Sequence, residues 1–168
     1  MKQFRTLLFA AVLFVGFTSL TQAQSKVAHI NTTDLIEAMP AMKAARTQME
    51  QLGKTYEADI KSMATELDNL IKQYDAEAST KTDEENGKRV QEVQTKEQNI
   101  RQFQAQAQRD LQQKEIDLLK PITEEAKAAI LKVARAQGFD YVLDSSQNNV
   151  IMADGKNLLD DVKKELGI

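Results

Sequence analysis

Residues 41 to 137 form an almost unbroken run of strong helix formers, Ala, Glu, Gln, Lys and Arg, with an apolar stripe too thin to build a globular core. In its first half Met42, Ala45, Met49, Leu52 and Tyr56 recur at steps of three and four. After one 4,4 step the pattern resumes as Ile60, Met63, Leu67, Leu70 and Tyr74. That is an a/d coiled-coil seam with a single stutter, and such a stripe is satisfied only by a partner helix.

The second half of the same run supplies the partner. Residues 78 to 82 (Ala-Ser-Thr-Lys-Thr) break the pattern, and Thr82 with Glu85 three positions later predicts a capping box that starts a new helix. Beyond it, Val90, Glu97, Gln104, Leu111 and Leu118 form one seven-residue series, while Val93, Ile100, Ala107 and Lys114 form the other. The chain's two prolines, Pro40 and Pro121, stand at nearly equal distances from the break. They mark the base of an antiparallel helical hairpin over residues 41 to 120, with its tip near residues 79 to 82 and arms of roughly 57 Å at about 1.5 Å per residue. Gly53 lies just below the stutter and is a candidate hinge, at a cost of about 1 kcal/mol relative to Ala in a helix.

The N-terminus reads differently. Lys2 and Arg5 precede an apolar run over residues 7 to 17 and a small-residue exit at Thr21-Gln22-Ala23, which describes a secretory signal peptide over residues 1 to 23. The apolar run is well short of the roughly 20 residues that a membrane span needs, so the processed chain is expected not to span a membrane. Loss of Lys2 and Arg5 leaves 20 of the 22 basic side chains against 25 acidic ones, a formal charge of −5. Nucleic acid is excluded as a partner by that balance. The chain has no Cys, so no disulfide can staple it and the common His/Cys zinc sites cannot be built around its single histidine, His29.

The remaining segments, residues 24 to 40 and 121 to 168, make a small body. Residues 26 to 31 predict a strand, and Thr33 or Asp34 caps a short helix that stops at Pro40. After Pro121, Ile122, Ala126, Ile130 and Val133 line one helix face up to Gly138, a C′ position. Residues 139 to 144 and 149 to 152 predict two further strands, and Leu158, Leu159, Val162 and Leu166 a last amphipathic helix. A body of about 65 residues with neither disulfide nor metal is below the size that stands alone, so it must oligomerise. The fold class is therefore α+β: a β-rich oligomerisation body carrying a long helical hairpin.

Catalytic chemistry is not expected. Gly87-Lys88 and Gly155-Lys156 lack the preceding glycine of a phosphate loop, with Thr82 and Val150 in its place. Counting twelve from Asp144 gives Gly155 where a calcium loop needs Glu. Ser145 and Ser146 have neither a nucleophile elbow nor a placed base. No cofactor, metal or catalytic residue is assigned, and the chain is read as a non-enzyme.

The order of signal, strand, short helix, hairpin, Leu119-Lys120-Pro121-Ile122, amphipathic helix and Gly138-Phe139-Asp140-Tyr141-Val142-Leu143-Asp144 resembles the Skp family, the OmpH-like periplasmic chaperones of Gram-negative bacteria. The resemblance extends over residues 26 to 166. It implies a periplasmic, ATP-independent holdase that assembles as a homotrimer through its body and encloses unfolded outer-membrane proteins between helical tentacles. On that reading Val27, Ile30, Tyr141, Val142, Leu143, Val150 and Ile151 form the oligomerisation body. Met63, Tyr74 and Phe103 are the candidate client contacts, with Phe103 expected beside the seam. Lipopolysaccharide binding is not carried over, because members that bind it are basic and this chain is acidic. The alternative is an envelope coiled-coil spacer or adaptor with a structural role.

Overall fold

A computed structural model describes residues 25 to 147 and 150 to 168; the expected signal peptide lies outside the described residues. The elements are β1 (Val27–Ile30), α1 (Thr32–Ala38), α2 (Pro40–Glu77), a 3-10 turn (Ala78–Thr80), α3 (Asp83–Ala136), β2 (Tyr141–Asp144), β3 (Lys156–Asn157) and α4 (Leu159–Leu166). Two of them dominate. Helix α2 has 38 residues and α3 has 54, and they pack side by side as an antiparallel hairpin.

The hairpin turns where composition and capping chemistry dictate. Helix α2 ends in the 3-10 turn, Lys81 is extended, and the Thr82 side chain accepts from the Glu85 amide while the Glu85 carboxylate accepts from the Thr82 amide. Two of the N-terminal amides that a helix leaves unpaired are thereby satisfied. Asn86 Nδ2 donates to the Ala78 carbonyl at 3.0 Å and ties the two helices across the turn.

At the other end α3 runs through Pro121 without a break. Proline there removes one helical hydrogen bond, and Thr123 Oγ1 donates to the carbonyls of Leu119 and Lys120 at 2.8 and 2.9 Å beside it. Past this point α3 changes face and joins the core. Gly138, at φ 71°, reverses the chain after α3, a left-handed conformation that favours glycine.

The core is small: Ile30, Leu35, Leu158 and Val162 are its fully buried large side chains, surrounded by Ala28, Met39, Ile122, Ala126, Ala129, Val133 and Ala134. Its sheet has the order β2-β1-β3 with both pairings parallel, and Val27 to Ile30 stand in register with Tyr141 to Asp144. The hairpin is thus the connection between two neighbouring parallel strands. An Asp144 clamp closes the end of the sheet: its carboxylate accepts from Thr32 N and Oγ1 at 3.3 and 2.7 Å and from the Ser146 amide at 2.9 Å. No helix among the described residues is long and apolar enough to cross a membrane.

Two local expectations are corrected. Helix α1 is capped by Asn31, whose Oδ1 accepts from the Asp34 amide at 3.1 Å, and not by Thr33 or Asp34. The segment expected as a strand at 149 to 152 is not one over its described part, residues 150 to 152; the third strand is Lys156–Asn157, which takes the free edge of β1 with only two residues. Ile151 is 99 % and Met152 74 % exposed. High β-propensity pointed to the wrong segment, since the edge of β1 pairs with Lys156 and Asn157 instead.

Candidate functional site: the helical arm

The ascending seam is where the heptad pattern puts it. Among its ten residues Ala45 is buried and the other nine are half-buried against α3. The descending seam is covered as expected at Val93, Glu97, Ile100, Ala107, Leu111 and Leu118, whereas Val90, Gln104 and Lys114 are exposed. Along the series begun at Val90 the cover is displaced by one residue, so that Arg89, Lys96, Phe103 and Asp110 are covered as well. Arg89 and Lys96 are charged residues covered at the seam, which an apolar pattern does not reveal.

This displacement moves Phe103 into the seam, correcting its expected place beside it. Its ring meets that of Tyr56 edge-on, with centroids 5.9 Å apart and planes at 66°. The Tyr56 hydroxyl donates to Asp110 Oδ2 at 3.0 Å, so the tyrosine at the stutter bridges a ring and a carboxylate on the facing helix. That hydrogen bond is the main reason the Tyr56 pKa is raised, which keeps the donor protonated. Met63 is half-buried nearby and shares with Phe103 and Arg109 a shallow depression of about 520 Å³.

Near the tip, Tyr74 is held from two sides. Its hydroxyl donates to Glu92 Oε2 at 2.6 Å, and the Arg89 guanidinium lies over its ring, 4.5 Å from the centroid. Arg89 Nη2 also donates to Glu77 Oε2 at 2.5 Å, which lowers the Glu77 pKa. Arg89 Nη1 is buried without a hydrogen-bond partner among the described residues, and the electron-rich face of Tyr74 offsets part of that cost. Gly53 lies inside α2 with nothing within 4 Å of an added Cβ, and it borders a second shallow depression of about 650 Å³.

In the body the expected oligomerisation residues separate by face. Ile30, 1 % exposed, and the half-buried Val142 belong to the protomer's own core. Val27, Tyr141 and Leu143 point to the other face of the sheet and are 44, 60 and 45 % exposed. Side chains alternate across a strand, so a single run such as Tyr141-Val142-Leu143 cannot serve one surface with every residue. Val150 is half-buried next to the protruding Ile151.

No group of three or more His, Cys, Asp or Glu suited to a metal ion occurs among the described residues. Among the described residues three shallow depressions lie along the arm, at Tyr74 and Val90, at Met63 and Phe103, and at Gly53 and Tyr56.

The model of the family described as outer membrane protein (OmpH-like) matches residues 26 to 166. The chain belongs to the OmpH-like family. Its relatives include the chaperone protein Skp of Photorhabdus luminescens, 25 % identical over 152 residues that cover 90 % of this chain and 92 % of the relative. The chaperone protein Skp of Pectobacterium atrosepticum is 22 % identical over 157 residues, covering 92 % and 93 %. A solved OmpH-like outer membrane chaperone from Caulobacter crescentus CB15 superposes with a TM-score of 0.76 over 86 % of both chains at 20 % identity, and so shares the α+β fold with long helices. The OmpH-like family is one of chaperones and not of enzymes.

Sequence reasoning missed Arg89, Glu92 and Asp110 as arm residues. A signal was available: in an antiparallel hairpin, positions at matching distances on either side of Asp83 face each other, and this rule pairs Tyr74 with Glu92, Glu77 with Arg89, and Tyr56 with Asp110.

Proposed function

We propose that this protein is a periplasmic, ATP-independent holdase that keeps unfolded outer-membrane proteins from aggregating by enclosing them between the arms of a homotrimer. The observation that carries this reading is the arm: a hairpin of roughly 57 Å that leaves a small body and returns to it. Among the described residues its seam is fully buried only at Ala45 and Ala107, so part of the apolar surface stays accessible along the length, most of all at Val90. Unfolded chains share no common shape, and holding them needs many weak contacts on an adaptable surface. Met63, Tyr74 and Phe103 contribute through their half-exposed parts, since Met adapts its shape and aromatic rings give large contact area.

Assembly follows from the body. Val27, Tyr141 and Leu143 make an exposed apolar sheet face, and Ile151 and Met152 project nearby in sequence, on a core with four large fully buried side chains among the described residues. Covering that face with further copies supplies the missing core. Three copies surround a central space with three arms. Export by the signal peptide at residues 1 to 23 would deliver the chain to the periplasm.

The test is light scattering after dilution of a urea-unfolded barrel protein into the mature chain, with and without ATP, alongside the chain's own mass by multi-angle scattering. Suppressed aggregation without ATP by a species of three protomers is the expected result. Undiminished aggregation would transfer support to a spacer or adaptor role in the envelope.

A further inference from the structure

We infer that the arm tip carries a docking groove for a cationic, apolar-flanked segment of an unfolded polypeptide, a specificity that rests on the holdase reading above. Ile71, Tyr74, Val90 and Val93 line a depression of about 540 Å³ between α2 and α3, whose charged wall is Asp75, Glu97 and Arg89, the last already paired with Glu77. Val90 is 56 % exposed although it is β-branched and apolar, so the groove presents an uncovered aliphatic floor.

The charge around this floor is one-sided. Residues 66 to 97 carry nine carboxylates against five Lys or Arg, whereas the rest of the arm, residues 41 to 65 and 98 to 120, carries six against eight. Three of the five tip cations are already engaged, Lys72 with Asp68, Lys88 with Glu84 and Arg89 with Glu77. Asp75 is in no ion pair among the described residues, and Glu97 has only Arg101 at 3.7 Å. A free carboxylate beside an exposed aliphatic floor suits a Lys or Arg flanked by apolar residues, whose stem packs on Val90 while its charge meets Asp75. The acidic tip also raises the encounter rate with cationic segments, and the base of the arm does not share this preference.

The assay is fluorescence anisotropy with a rhodamine-labelled peptide of alternating Leu and Lys, and a second in which Glu replaces Lys, titrated with the intact mature oligomer. The Lys peptide should bind on the order of tenfold more tightly than the Glu peptide at about 0.05 M salt and lose most of that advantage at about 0.5 M. Asp75→Lys should weaken the Lys peptide on the order of fivefold, and Val90→Ser should weaken both peptides. Asp117→Lys, the same charge change at the base of the arm, should alter binding less than about twofold. Equal affinity for the two peptides, or equal losses in Asp75→Lys and Asp117→Lys, would overturn the groove. A wild-type oligomer that binds the Lys peptide yet fails to keep a barrel protein soluble would remove the holdase reading and leave the groove standing.

Discussion

Truncating Phe103 should loosen the arm, because the structure puts this ring inside the seam. A fully buried Phe→Ala change costs about 3–5 kcal/mol, and Phe103 is largely but not fully buried, so about 2–4 kcal/mol is expected from Phe103→Ala. Tyr56→Phe keeps the ring and removes the hydrogen bond to Asp110, worth about 1 kcal/mol. The edge-on ring pair itself contributes about 0.5–1.5 kcal/mol, and a cycle with Tyr56→Ala, Phe103→Ala and the double variant isolates it. The assay is urea unfolding followed by far-UV circular dichroism at one fixed protomer concentration, since assembly shifts apparent stability. With a slope of about 1–3 kcal/mol/M, Phe103→Ala should lower the midpoint by roughly 1 M. An unchanged midpoint together with a coupling energy near zero would refute the seam assignment and return Phe103 to the free surface of the arm.

Other perturbations separate the parts of the molecule. Gly53→Ala meets nothing within 4 Å and should stabilise α2 by about 1 kcal/mol, read as a higher thermal midpoint; weaker client holding by this stabler variant would mark Gly53 as a hinge, and unchanged holding would remove that role. Ile30→Asp buries an unpaired charge and should abolish folding of the body at a cost of several kcal/mol, whereas Tyr141→Asp on the exposed face should leave secondary structure intact by circular dichroism and dissociate the oligomer in light scattering. Partial burial works to raise the pKa of Asp144, but hydrogen bonds from Thr32 and Ser146 outweigh it and hold the group below its ordinary 3.8. A lowered carboxylate stabilises the fold above the ordinary value and loses that contribution as pH falls through the lowered one, so Asp144→Asn should flatten the acid limb of a stability profile below about pH 4.

The arm was legible in the sequence to the extent that its chemistry is local. Thr82 and Glu85 specify a helix start through their own backbone, and the ascending seam is made of residues whose only use at that spacing is burial. The descending seam was legible only in part, because its covered positions include Arg89, Lys96 and Asp110, polar residues of which Arg89 meets the Tyr74 ring and Asp110 the Tyr56 hydroxyl on the facing helix. Only pairing across the tip reveals them. The body failed in a different way: Val150, Ile151 and Met152 have strand composition, but the edge of β1 goes to Lys156 and Asn157, whose composition does not announce a strand. Likewise the alternation that puts Ile30 and Val142 inside and Tyr141 and Leu143 outside becomes visible only when the register of β1 with β2 is known.

Enclosure between arms is the central claim, and the most direct test replaces residues 45 to 115 by a short linker and compares the resulting armless body with the mature chain. Both are first shown to be trimers by light scattering, and each is then challenged with a urea-unfolded barrel protein in the aggregation assay. The mature chain should keep the client soluble and the armless trimer should not; equal protection by the armless trimer would contradict holding by the arms.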